Sequence, residues 1–177
     1  MEHLSREQLV EVLRCAKRER ERDWILLLVS FWHGLRASEA IALTAANFSD
    51  GYLTVQRLKG SLRTTQPLIE HDDELLNERA AIDGWLPRIP SGGRLFPISR
   101  VHFYRLMRRY GRAAGLPQHL CHPHVLKHSI AMQAIRTAGI ENVRQYLGHR
   151  SIASTGAYLR VTDQAASAAV LEGSRKG

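Results

Sequence analysis

The chain has 177 residues, of which 25 are Lys or Arg and 17 Asp or Glu, for a net charge of +8 with 44% hydrophobic residues. That composition builds one domain with its own core, excludes wholesale disorder, and favours a polyanionic partner. The longest apolar stretch, Trp24 to Leu35, is broken by Ser30, His33 and Gly34 and falls short of the ~20 residues of a membrane helix.

Leu9, Leu13 and Ala16 recur at helical spacing behind Ser5, and Gln8 stands in capping-box register, so a helix is predicted from Ser5 to about Arg18. Trp24 to His33 is apolar on most sides, as a buried central helix requires, with Gly34 as its left-handed cap and Arg36 just past its end. Ser38 is expected to cap a short helix through Leu43. Three strands follow, at Asn47 to Asp50, Tyr52 to Arg57 and Arg63 to Leu68, joined by the hairpin signals Asp50-Gly51 and Lys59-Gly60-Ser61. Helical pattern returns from Asp72 to Ile82, and a loop rich in Pro and Gly runs to Pro97. Ser99 opens a helix to Ala114, which Gly115 ends. Another runs from His124 to Ala138, with Gly139 and Gly148 punctuating two further turns, and a last short helix is expected at about Thr162 to Leu171. The fold class is therefore mainly α with a small three-stranded antiparallel β-sheet.

Two constellations admit two readings each. Arg105, Arg108, Arg109 and Arg112 share one helix face by their i, i+3, i+4, i+7 spacing; they either contact DNA phosphates or form a solvated polar face. His119, Cys121, His122, His124 and His128 are residue types that bind zinc. Pro123 splits that run, however, and the glutamate of an HExxH helix is missing, so no metal site is expected. The two cysteines, Cys15 and Cys121, form no CxxC pair and no disulfide framework. No secretion signal is read at the N-terminus, and a reduced cytoplasm is the expected location.

A third constellation is ordered along the whole chain: Gly34-Leu35-Arg36-Ala37-Ser38-Glu39, then Lys59-Gly60 between two strands, His124-Val125-Leu126-Lys127-His128, Leu147-Gly148-His149, and Tyr158 nine residues later. In order, spacing and placement these motifs resemble the catalytic domain of tyrosine recombinases, the phage-integrase and Xer-like family. The resemblance implies that fold for residues 1–172, with the helix at about 162–172 exchanged in trans and 173–177 a disordered tail. It also implies a site-specific recombinase or integrase that cleaves and rejoins DNA through a 3′-phosphotyrosyl intermediate. By the same resemblance Arg36 is a phosphate-binding arginine, Lys59 the general acid for the departing 5′-hydroxyl, His124 a proton acceptor or phosphate ligand, His149 the histidine of the third motif, and Tyr158 the nucleophile. Lys127 stands where the second arginine is expected; it keeps the charge but lacks the planar fork, which implies reduced activity.

No cofactor is implied. The partners implied are duplex DNA and other copies in a synaptic tetramer, or a partner recombinase, with no membrane and a nucleoid-associated cytoplasmic location. No N-terminal core-binding domain is recognised in the chain. Two alternatives remain at this point: a catalytically weakened DNA-binding or regulatory protein, and DNA relaxation of the type IB topoisomerase kind.

Overall fold

The computed structural model describes residues 2–58 and 60–150; Lys59, Tyr158 and the helix expected at 162–172 lie outside the described residues. Helix α1 (Arg6–Glu19) starts at the capping box read from the sequence, with Ser5 Oγ accepting from the Gln8 N–H and Gln8 Oε1 from the Ser5 N–H. Its Leu9, Val12, Leu13 and Ala16 are buried against α2 (Glu21–Trp32), in which every residue from Asp23 to Phe31 is buried. A helix apolar all round must be surrounded. The neighbours that surround α2 are α1, α4 (Glu78–Trp85), α6 (His124–Tyr146) and the short α3 (Ala37–Ile41). The buried Asp23 carboxylate accepts the Tyr110 hydroxyl at 2.7 Å and faces Arg22 at 2.7 Å, which compensates its desolvation. Tyr110 belongs to α5 (Arg100–Ala113), which begins at the Ser99 cap and also packs on α1.

Gly34 ends the central helix with φ +57°, and a Cβ there would meet a Leu147 methyl at 2.4 Å. The short helix α3 (Ala37–Ile41) then starts two positions earlier than a Ser38 cap would set it. Its N-cap is Arg36, because the Glu39 carboxylate turns back to accept the Arg36 N–H at 2.8 Å.

The three strands are antiparallel in the order β1 (Phe48–Ser49), β2 (Tyr52–Val55) and β3 (Thr64–Pro67), with Ser49 opposite Tyr52 and Val55 opposite Thr64. Asp50 and Gly51 both have positive φ, at 50° and 79°, as a tight hairpin between right-twisted strands demands. The second strand is shorter than the pattern predicted. Gln56 and Arg57 leave the ladder, and the Glu39 carboxylate captures the N–H of the next residue, Leu58, at 3.0 Å. The helix expected from Asp72 begins instead at Glu78. Asp73 Oδ1 accepts the Leu75 N–H and Asn77 Oδ1 accepts the Ala80 N–H, so local side-chain bonds hold a turn open until Asn77 caps the helix. In α6, Gly139 has φ 78° and ψ 164°, which breaks the element where the sequence placed its interruption.

Candidate active site

The site assembles where the end of α2 meets the end of β2. Arg36 leaves the Gly34 turn with its guanidinium held by two acceptors, Glu39 Oε1 at 3.0 Å and the Leu58 carbonyl at 3.3 Å, and about a fifth of its side chain exposed. Glu39 is buried and saturated. Its oxygens accept the N–H groups of Arg36 and Leu58 and the guanidinium groups of Arg36 and Arg57. Burial pushes its carboxyl pKa up, but these backbone donors, Arg57 and Lys127 outweigh that effect and leave it below the usual carboxylate value.

Arg57 was not singled out by the motifs. Its side chain is wholly buried, and all of the guanidinium's donors are committed. Nε donates to Thr64 Oγ1 at 2.8 Å; one terminal nitrogen donates to the Gly34 carbonyl and Glu39, the other to the His33 carbonyl and Gln66 Oε1. It therefore fastens both strands of the second hairpin to the turn that carries Arg36, and has no donor left for a ligand. The signal for it lay in the strand pattern, because Leu53, Val55 and Arg57 alternate inward and an arginine at the third such place must be buried.

Lys127 presents the opposite case. It is buried on α6, and its Nζ has no hydrogen-bond partner among the described residues. Desolvation, then repulsion from Arg36 and Arg57, lowers its pKa from 10.5 to about 8 against the pull of Glu39. His149 stands just beyond α6, also buried; burial and the cations Lys127, Arg36 and Arg57 depress it to about 4, so it is neutral at pH 7 and has one ring N–H to donate. The backbone locks this end to the hairpin. The Leu62 N–H donates to the Gly148 carbonyl at 2.8 Å, and Gly148 has φ +70°.

The structure thus brings Arg36, Lys127 and His149 together around Glu39 and Arg57. His124 lies exposed on the first turn of α6, with its ring centroid 5.5 Å from that of His128 in an edge-on contact. Lys59 and Tyr158 lie outside the described residues. Arg105, Arg108, Arg109 and Arg112 on α5 are all exposed. Arg109 pairs with Glu19 at 2.6 Å, whereas Arg105 and Arg108 line a shallow hollow with Arg100, Val101 and Tyr104. Among the described residues no three His, Cys, Asp or Glu side chains converge to hold a metal ion.

The whole chain, and its fold, have counterparts among known proteins. Residues 2–165 match the phage integrase family. The chain belongs to that family. It is 30% identical to tyrosine recombinase XerA of Pyrococcus furiosus over 166 residues, which are 90% of this chain and 57% of that protein. It is 33% identical to the type 1 fimbriae regulatory protein FimB of Escherichia coli K12 over 143 residues, 76% of this chain and 70% of that one. The chain thus spans little more than half the length of the archaeal relative. Among solved structures, the XerH site-specific recombinase bound to palindromic difH substrate superposes with a TM-score of 0.74 at 19% identity, over 96% of this chain and 52% of that one. The lambda integrase catalytic core gives 0.68 at 19% identity, over 85% of this chain and 94% of that core. The fold is that of a lambda integrase and Xer catalytic domain.

Proposed function

We propose that this domain is the catalytic part of a site-specific DNA recombinase, cleaving and rejoining duplex strands through a 3′-phosphotyrosyl intermediate. The observation that carries the reading is the buried ammonium of Lys127, without a partner among the described residues, beside an arginine that still reaches solvent. An uncompensated buried cation is costly, and a phosphodiester oxygen supplies both the charge and the acceptor it needs. In this reading Arg36 and Lys127 hold the non-bridging oxygens while negative charge builds on them, and neutral His149 donates one further hydrogen bond. Tyr158 attacks phosphorus; its phenol, with a reference pKa near 10, gives its proton to a base such as His124. Lys59 protonates the departing 5′-oxygen. The exposed arginines of α5 grip flanking phosphates, and further copies of the protein, or a partner recombinase, complete the assembly on DNA. The XerA recombinase relative and the XerH structure bound to its difH substrate support a DNA substrate by relationship.

The test is covalent capture. Incubated with a randomised pool of nicked duplexes and run on a denaturing gel, the protein yields a DNA-linked band, and Tyr158→Phe removes it while duplex binding persists. Binding without any linked band would reduce the domain to a DNA-binding protein. A linked band in Tyr158→Phe would move the nucleophile to another tyrosine.

A further inference from the structure

We propose that phosphate engagement at this site is coupled to a proton: Lys127 takes one up as a phosphodiester oxygen enters and releases it as the oxygen leaves. The proposal rests on the recombinase reading only for the identity of the anion. It follows from the described residues that face Lys127. From α3 and its cap come Glu39 and Arg36, from the end of β2 comes Arg57, from beyond α6 comes His149, and on its own helix stands His128. Among the described residues Glu39 is the carboxylate in that circle, and its two oxygens already serve two guanidinium groups and two backbone N–H groups. Lys127 gains a distant attraction from it but no hydrogen bond.

A third cation is thus confined, out of water, beside two arginines around one carboxylate, and the cheapest relief in the free protein is loss of its proton. Its pKa of about 8 agrees with that geometry. An incoming phosphate oxygen reverses the balance, because it brings the missing negative charge and an acceptor for the ammonium. By reciprocity, whatever factor the anion adds to the lysine's proton affinity, the proton adds to the anion's affinity. An arginine in this position cannot do this, since it stays protonated at any relevant pH. The substitution therefore changes the behaviour of the site as well as its strength: between about pH 7 and 9, affinity for the reacting phosphate falls as Lys127 empties of its proton. Arg57 cannot take over, because every donor it has is already used.

The experiment uses the full chain with carbon-13 labelled lysine and sulfate as the probe, a tetrahedral anion that does not titrate in this range. The Lys127 ε-carbon signal, assigned through the backbone, titrates near pH 8 in the free protein and at least one unit higher in excess sulfate. Sulfate binds about five- to tenfold more tightly at pH 7 than at pH 9, the range that one linked proton allows. In Lys127→Arg the two sulfate affinities are equal. A titration midpoint that sulfate does not move, an absence of sulfate binding at pH 7, or the same pH dependence in Lys127→Arg each overturns the proposal. Neither DNA nor Tyr158 takes part, so failure of covalent capture leaves this result standing. Successful capture with a pH-independent sulfate affinity would sink the proton coupling alone.

Discussion

Counting donors separates the cations of the site by task. Arg57 spends every N–H on protein acceptors in three different segments, Arg36 spends one terminal nitrogen on Glu39 and Leu58, and Lys127 has no partner among the described residues. A side chain so fully committed holds structure, whereas an uncommitted one is available to an anion. Arg57→Met should accordingly cost about 3 kcal/mol of folding stability, since it leaves the Gly34 and His33 carbonyls and part of Glu39 without their buried donor; urea unfolding measures it, and a loss within experimental error would show that these bonds are replaced by others. Lys127 should affect stability with the opposite sign. Its folded pKa, about 8, lies below the unfolded value of 10.5, so between those limits the unfolded chain binds more protons and stability rises with pH. The shift corresponds to up to about 3 kcal/mol. Relative to Lys127→Met, the native protein should gain on that order between pH 8 and pH 10.5, and urea midpoints that run parallel across the window would contradict the burial argument.

At the scale of elements, the parts legible in the sequence were those written in local chemistry. The Ser5 capping box, the Asp50-Gly51 turn, the Gly34 cap and the Gly139 interruption each depend on a few neighbouring residues, and each stands where the pattern put it. What was misread depends on side chains that reach across the chain or compete with a helix. Glu39 moves the cap of α3 to Arg36 and, by holding the Leu58 N–H, draws the chain away from the sheet after Val55; Asp73 and Asn77 delay α4. The ordered motifs marked Arg36, Lys127 and His149 but passed over Arg57, because its role is fixed by tertiary partners. The join between hairpin and α6 gives a sharp test. At Gly148 φ is +70°, and a Cβ would lie 2.8 Å from the Leu62 carbonyl oxygen and 3.0 Å from Arg57 Cγ, so Gly148→Ala should destabilise by about 1–3 kcal/mol and slow the proposed strand cleavage by moving His149. Unchanged stability and rate would mean that this turn relaxes freely. On α5, Arg109 is neutralised by Glu19 while Arg105 and Arg108 face their hollow. Removing Arg105 or Arg108 should each flatten the plot of log affinity against log salt by about one unit, and Arg109→Ala by less; equal slopes for all of these variants and the native protein would make the stripe an ordinary solvated face.

Across the whole molecule, α6 ties these parts together, and its two ends share one vulnerability. His128, one turn in from its start, and His149, just past its end, are each depressed from 6.5 to about 4. Burial is the first cause for both; His124 and His122 add to it for His128, and Lys127, Arg36 and Arg57 for His149. Both therefore remain neutral in the folded state at pH values where the unfolded chain has already protonated them. Folding stability falls as the pH drops from about 6.5 towards 4, and over that span the unfolded chain binds up to about two protons more than the folded one from these groups alone. Protonation at the His149 end adds a positive charge to a cluster that already holds Arg36, Arg57 and Lys127, so unfolding should be felt first where the site is built. Urea unfolding of the native protein between pH 7 and pH 4.5 should show this slope, and His149→Gln, which keeps a polar side chain of similar reach but cannot titrate, should reduce it by about one proton. His128→Asn should remove the other share. If the pH dependence is the same in all three proteins, neither histidine is held neutral by its surroundings, and the acid sensitivity lies in the carboxylates instead.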